Sequence, residues 1–436
     1  MKPIKVGLLG IGTVGAGTFT VLKRNAEEIS RRAGRRIEIT MVADLDVARA
    51  LALTDGECEV VNDASLIINH PEIDIVIELI GGAGIARTLV LQAIANGKHV
   101  VTANKALLAL HGNEIFKAAQ EKGVIVAFEA AVAGGIPIIK VLRESLTANR
   151  IEWVAGIING TTNFILSEMR DKGIDFTTAL SGAMQLGYAE ADPTVDIEGI
   201  DAGHKATLMA SIAFGIPVQF GKAHVEGITK LQSVDIGYAE QLGYRIKLLA
   251  IAKRTPLGIE LRVHPTLIPT RRLIANVEGA MNAVLVQADA VGATMYYGKG
   301  AGAEPTASAV IADLIDISRL FTAQPDHRVP HLAFQPDAMT DTPILPMAEI
   351  TTSYYLRMHV ADQLGVLATV TRILADSDIS IDAMLQKEPA GGASETDIII
   401  LTHLTQEKCV DAAIARIEAL ATVIGKVTRI RLEELE

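Results

Sequence analysis

Ile4 to Leu9 is a short, mostly aliphatic run, the pattern of a buried strand, and it stops at Gly10-Ile11-Gly12-Thr13-Val14-Gly15. Phe19, Val21 and Leu22 then open a helical period. The alternation returns. Ile37 to Ala43 ends in Asp44, Ile73 to Leu79 leads to Gly81-Gly82, His99 to Thr102 leads to Ala103-Asn104-Lys105, and Val124 to Phe128 follows. Strands alternating with helices predict a parallel, Rossmann-type sheet over residues 1–133, with ligands at the carboxyl ends of its strands.

At Glu129-Ala130-Ala131-Val132-Ala133-Gly134-Gly135-Ile136-Pro137 small residues fit neither period and mark a crossing into a second unit, 134–320. We read that unit as an α+β substrate and dimerisation domain whose end returns to the first. Ile157-Ile158 closes an apolar strand and leads into Asn159-Gly160-Thr161-Thr162-Asn163. Its hydroxyls and amides suit either a polar small molecule or a turn that caps a helix. Helical period resumes near Gly199 and places Asp201 and Lys205 on one face at i, i+4. On an exposed helix this is an ordinary ion pair. Here the surrounding Ala-Gly-His-Lys-Ala-Thr-Leu-Met-Ala reads as buried, and a buried acid and lysine need a task or a partner.

Residues 321–350, rich in Pro, Asp and Thr, read as a linker. From Ser353 the pattern is strand (Tyr354 to Val360), helix (Val366 to Ala375), two strands (Ile379 to Gln386, Thr396 to Leu404), helix (Lys408 to Ala419) and strand (Val427 to Leu432). That is a βαββαβ, ferredoxin-like unit over 351–436.

A chain of 436 residues is too long for one ordinary core. With 49% hydrophobic and 21% charged residues it can fill several. Forty basic against 51 acidic residues give a net charge of −11, which disfavours the phosphate contacts that drive nucleic-acid binding. No apolar stretch reaches the ~18 residues of a membrane span, and the start lacks the apolar core of a signal peptide. The two cysteines, Cys58 and Cys409, lie far apart, so no disulfide framework is expected and a reducing cytoplasm fits.

In the first unit Gly10 permits a tight turn, Gly12 lets backbone approach a pyrophosphate, and Gly15 allows close helix–strand packing; Ile11, Thr13 and Val14 complete the dinucleotide turn. Asp44 is placed to bind a ribose diol and favours NAD, although Arg31, Arg32, Arg35, Arg36 and Arg49 stand near in sequence to accept a 2′-phosphate. Lys105 starts a helix, where the macrodipole disfavours a cation. That misfit points to a functional use.

The order Ala183, Gly187-Tyr188-Ala189, Asp192-Pro193, Asp196-Ile197, Gly199, Asp201, Lys205 resembles the signature segment of homoserine dehydrogenases. Asn159-Gly160-Thr161-Thr162-Asn163-Phe164 and Gly298-Lys299-Gly300-Ala301-Gly302-Ala303-Glu304-Pro305 resemble two further segments of that family, and the likeness spans the whole chain. It implies NAD(P)-dependent interconversion of L-homoserine and L-aspartate 4-semialdehyde, in threonine, methionine and isoleucine biosynthesis. Lys205 would be the acid/base, Asp201 and Lys105 would flank the reacting oxygen, and Glu190 would hold the substrate ammonium. Asp196, Thr161 and Gly160 would line the substrate site, with Gly302 near the nicotinamide. The resemblance also implies a sodium-like monovalent cation on Glu129, Val132, Gly134 and Ile136, and a homodimer or homotetramer.

With Asp362-Gln363-Leu364-Gly365-Val366-Leu367 after its first strand, the C-terminal unit resembles an ACT domain, in which proline usually stands at the place of Leu364. That implies an amino-acid effector, threonine, held by Asp362, Leu364, Gly365, Val366 and Leu367; the alternative is a module that only dimerises. Deletion after Ile350 is expected to leave an active enzyme deaf to threonine. Two other readings compete. Aspartate-semialdehyde dehydrogenase chemistry needs a nucleophilic cysteine, for which neither Cys58 nor Cys409 is suited. A silent sensor on a dehydrogenase scaffold is opposed by the joint presence of Lys105, Glu190, Asp201 and Lys205.

Overall fold

The computed structural model describes residues 2–387 and 394–436. Its first sheet is parallel and six-stranded: β1 (Ile4–Leu9), β2 (Ile37–Ala43), β3 (Glu59–Val61), β4 (Ile75–Glu78), β5 (His99–Thr102) and β6 (Val126–Ala127), in the order β3-β2-β1-β4-β5-β6. The order reverses between β1 and β4. The strand ends on either side of that reversal, Gly10 and Leu79, therefore flank the crevice where doubly wound sheets bind ligands. β1 and β4 are almost wholly buried, as their mostly aliphatic sequences require; the half-buried Lys5 in β1 is the exception. β3 is short and lacks such a run, and for that reason it carries no sequence signal.

The helix Ala303–Leu320 returns to this sheet. Ala307, Val310, Ile311, Leu314 and Ile317 share one core with Ile4, Val6 and Leu8.

A second sheet runs through both the middle and the C-terminal units. Its strands lie in the order Gly292–Lys299, Met281–Ala288, Ile151–Ile157, Tyr244–Thr255, Gly258–Pro269, Thr428–Leu432, Thr351–Ala361, Glu395–Thr402, Ile381–Gln386. The helix Ile200–Phe214, buried along nearly its whole length, packs against it. The last four strands, with helices Val366–Asp376 and Glu407–Glu418, form the βαββαβ unit, and Leu356, Val370, Leu374, Ile398, Val410 and Ile417 lie in its core.

The two units are joined by more than a tether. Strand Thr428–Leu432 pairs with Gly258–Pro269 in parallel at Thr266–Arg431 and Leu267–Leu432. Around this seam Arg431, 1% exposed, is bonded by Glu226 and Glu407, while Arg262, also 1% exposed, is bonded by Glu260 and Glu433. Asp235 accepts from Arg357 at 2.6 Å and from the Tyr355 hydroxyl at 3.0 Å. Deletion after Ile350 would strip partners from Asp235, Glu226 and Arg262, which weighs against the expectation of an active truncated enzyme.

Segment 321–350 is likewise pinned. Leu332, Ile344 and Ile350 are buried, and Ile259 exchanges backbone hydrogen bonds of 2.8 Å with Pro343 and Leu345. Its proline content reflects a strap laid along the molecule. No helix among the described residues is long and apolar enough to cross a membrane.

Candidate active site

β1 ends at Gly10, whose φ of +88° and position 2.9 Å from the Leu79 carbonyl oxygen, measured to an added Cβ, leave room for no side chain. A Cβ on Gly15 would meet the Gly10 oxygen at 2.3 Å, whereas Gly12 faces open space. Helix Thr13–Arg24 begins after Gly12 without a side-chain cap, so its first N–H groups are available to an anion. The Ile11 N–H donates to Asp44 Oδ2 at 2.8 Å and the Asp46 N–H to Oδ1 at 2.9 Å. Each oxygen keeps a lone pair for a ribose hydroxyl.

Arg31, Arg32, Arg35 and Arg36 precede the other end of β2, a strand of seven residues, about 20 Å away along the chain direction. They do not share the Asp44 end of the sheet. Arg49, on helix Val47–Thr54, does. Gly302, with φ +130°, precedes helix Ala303–Leu320, which also starts uncapped. Gly17 lets it approach: an added Cβ there would lie 2.5 Å from the Ala303 oxygen.

The polar centre lies where the two units meet. Lys105 opens the helix Lys105–Lys122 at the carboxyl end of β5, and Asn104 caps that helix while donating to the Gly82 carbonyl at 2.6 Å. From the middle unit, helix Ile200–Phe214 delivers Asp201 and Lys205. Asp201 Oδ1 lies 3.1 Å from Lys105 Nζ, and Oδ2 accepts from Lys205 Nζ at 2.6 Å. Lys205 Nζ also donates to the Ile158 carbonyl at 2.8 Å. Burial pushes the Asp201 carboxyl up, but the ammoniums of Lys205 and Lys105 overcome it and hold the group well below the usual carboxylate range. The Asp201 charge in turn holds Lys105 above its ordinary value.

Asn159 completes this centre: its Nδ2 donates to Asp196 at 2.7 Å and to Asp201 at 3.0 Å. Burial, then the Asp201 charge, raises the Asp196 carboxyl. In the sequence Asn159 is one of several amides and hydroxyls that suit either a polar ligand or a helix cap. Its signal was a side-chain amide directly before Gly160, equally compatible with the cap it also forms to Thr162.

Of the remaining expected substrate residues, Gly160 lies tight against the Ala280 carbonyl, and the Thr161 hydroxyl donates to the Tyr188 carbonyl at 2.6 Å. Thr161 thereby anchors the loop that carries Glu190, which is exposed and close enough to add to the field at Lys105.

Glu129 is buried, and its carboxylate accepts the N–H groups of Ile139 and Lys140 at 2.9 and 2.7 Å. Burial pushes it up to about 7. Its own N–H donates to buried Asp313, which burial and the Glu129 charge push up to about 8. Ala133 and Gly134 both have positive φ, and the Ile136 carbonyl accepts from Ile138 at 2.8 Å. The effector turn lies apart in the C-terminal unit, with Gly365 at φ +90° and Leu364 fully exposed.

A dinucleotide crevice that opens beside a carboxylate-held lysine is what a hydride-transferring, nicotinamide-dependent oxidoreductase requires. Models of known families agree: "Homoserine dehydrogenase, NAD binding domain" matches residues 10–129, "Homoserine dehydrogenase" 137–315 and "ACT domain" 354–422. The chain is 61% identical to a homoserine dehydrogenase of Pseudomonas aeruginosa over the full length of both. A crystal structure of a homoserine dehydrogenase from Thiobacillus denitrificans superimposes with a TM-score of 0.96 at 68% identity, covering 100% of this chain and 99% of that one. An archaeal homoserine dehydrogenase in complex with NADPH covers 74% of this chain and 99% of its own, with TM-score 0.63 and 25% identity. The chain belongs to the homoserine dehydrogenase family.

Proposed function

We propose that this chain interconverts L-homoserine and L-aspartate 4-semialdehyde, with Lys205 carrying the proton. The observation behind this reading is the clamp of Lys205, Asp201 and Lys105 at the carboxyl edge of the dinucleotide sheet. When bound, NAD(P) supplies or accepts the hydride. In the reducing direction Lys205 gives a proton to the aldehyde oxygen as it gains charge, and Lys105 stabilises that charge electrostatically. In the oxidising direction Lys205 takes the hydroxyl proton back. Asp201 and the Ile158 carbonyl fix the ammonium in place, Asp196 and Glu190 offer carboxylates to the substrate ammonium, and Thr161 holds the Glu190 loop.

The residues around Glu129 fit a monovalent cation, because a carboxylate with spare lone pairs and the carbonyls of Val132, Gly134 and Ile136 are hard oxygen donors. We read the turn Asp362 to Leu367 as a threonine site, the chain as cytoplasmic, and the assembly as a homodimer or homotetramer paired through the middle unit.

The test follows NAD(P)H absorbance with homoserine and each cofactor, with and without threonine, in wild type and Lys205→Ala. Lys205→Ala should lower kcat by about 100-fold or more with dinucleotide affinity unchanged. Near-normal turnover in that variant rejects the assignment, and indifference of the wild type to millimolar threonine rejects the effector.

A further inference from the structure

Glu78 ends β4, where the strand order of the first sheet reverses, and it is 0% exposed. The chemistry above does not use it. Its carboxylate accepts the N–H groups of Ile80 at 2.9 Å and Gly81 at 3.3 Å, and the Thr102 hydroxyl at 2.7 Å. Among the described residues no Lys, Arg or His side chain pairs with it. A buried carboxylate met only by neutral donors needs a task.

Those donors belong to two loops. The register of β4 on β5 sets Glu78 against Thr102, the last residue of each strand. Thr102 donates its hydroxyl proton to Glu78 and accepts the Asn104 N–H at 3.0 Å on the same oxygen. Asn104 in turn accepts the Leu107 N–H at 3.0 Å, capping the helix Lys105–Lys122, and its Nδ2 donates to the Gly82 carbonyl at 2.6 Å. A Cβ added at Gly81 or Gly82 would meet nothing, so the turn borders open space and is held only from behind. The hydrogen bonds thus close a circuit, from Glu78 to the turn 80–82, across to Asn104, and back through Thr102. Lys105 is the next residue, and its Nζ lies 3.1 Å from Asp201.

The direction of each bond matters. Glu78 accepts at both oxygens, so Thr102 donates to it and keeps its lone pairs for Asn104. Glutamine has the same shape but would set an N–H2 group against the Thr102 oxygen, and the threonine proton would lose its acceptor. The first turn of the helix would then shift against the middle unit. Misplacement by about 1 Å in an active site can cost about 10²-fold in rate. Asp201, with Asp196 and Glu190 behind it, holds the Lys105 ammonium above its ordinary value, so a shifted helix start also changes how Lys105 titrates.

We propose that Glu78 is a positioning residue for Lys105, acting through Thr102 and Asn104 to fix the helix start opposite Asp201. Its kinetic consequence rests on the dehydrogenase reading; its effect on Lys105 does not. Competitive acetylation of the full chain across pH, read by mass spectrometry, follows each lysine, with Lys117 on the same helix as the labelling reference. In Glu78→Gln and in Thr102→Val, Lys105 should titrate at a pH lower by about 0.5 or more, with circular dichroism confirming the fold. Valine has the shape of threonine, so Thr102→Val serves even if Glu78→Gln unfolds. Thr102→Ser, which keeps the hydroxyl, should retain the wild-type titration. Homoserine kcat and kcat/KM should fall together by about 10-fold or more in the first two variants, with KM within about 3-fold, because Lys105 acts on charge that develops in the transition state. The double variant should lie no more than about 3-fold below the poorer single one, whereas independent damage would multiply to about 100-fold. An unmoved Lys105, an unchanged kcat in a chain that turns over homoserine, or losses that multiply would each overturn the link. The expected labelling pattern in a chain without homoserine turnover would uphold it and reject the dehydrogenase reading.

Discussion

Replacing Asp201 by Asn keeps the shape of the side chain and removes the charge between two ammoniums. At an effective dielectric of about 20, opposite charges at the Lys205–Asp201 distance of 2.6 Å attract by roughly 6 kcal/mol, and desolvation of both ions offsets much of that. Stranding one partner of such a buried pair typically costs about 3–5 kcal/mol. For a folding unit of 150–250 residues this corresponds to a fall in Tm of roughly 6–20 °C, at about 2–4 °C per kcal/mol. Lys205 would retain the Ile158 carbonyl as a fixed partner and lose the carboxylate that aims it. Since a positioned acid/base is worth about 10²–10⁴ in rate, kcat should drop by about 100-fold, with cofactor affinity unchanged. Lys105, now held above its ordinary value by the Asp201 charge, should titrate lower, so any limb of the pH–rate profile that reports it moves to lower pH. Steady-state kinetics in both directions across pH, with thermal unfolding, would measure all three effects. A variant that keeps kcat within about 3-fold of wild type and an unmoved pH profile would refute the clamp as the origin of catalysis.

Because Asp44 lies at the glycine turn while Arg31 to Arg36 lie at the far end of β2, kcat/KM should favour NAD over NADP, and Asp44→Ser should narrow the ratio by about 10-fold; a strong wild-type preference for NADP would show that Asp44 does not meet the ribose. Glu129 has a folded-state value of about 7, above its ordinary 4.5, so it contributes stability at low pH that is lost as pH rises through 7, the range in which a cation could restore it. Sodium chloride in place of choline chloride should therefore raise Tm near about pH 8.5 and not near about pH 5.5, and Glu129→Gln should abolish the difference; equal shifts at both pH values would dismiss the site. A chain ending at Ile350 should be insoluble or poorly folded, since buried Asp235 loses Arg357 and Tyr355 at about 3–5 kcal/mol and Glu226 and Arg262 each lose a further partner; a soluble, fully active truncation would show the seam to be dispensable.

Much of this protein is local in origin and therefore legible along the chain. Gly10, Gly12 and Gly15 are spaced by the sterics of one turn, the strands β1 and β2 announce themselves by their concentration of aliphatic residues, and Asp201 and Lys205 share a helix face because 3.6 residues make a turn. The βαββαβ order follows from the same short-range periods. What the periods do not carry is which faces meet. Strand Gly258–Pro269 places Glu260, Arg262, His264 and Thr266 at alternate positions, the pattern of a solvent-facing edge, yet all four are buried because the C-terminal unit covers them with Arg431 and Glu433. The prolines of 321–350 suggest a tether, but burial of Leu332, Ile344 and Ile350 makes it a strap. Asn159 becomes a site residue only because the strand before it and the helix bearing Asp201 pack side by side. Short-range sterics depend on neighbours within a few residues, whereas the pairing of Lys105 with Asp201 depends on two separately folded surfaces closing on one another, and tertiary packing alone decides that distance.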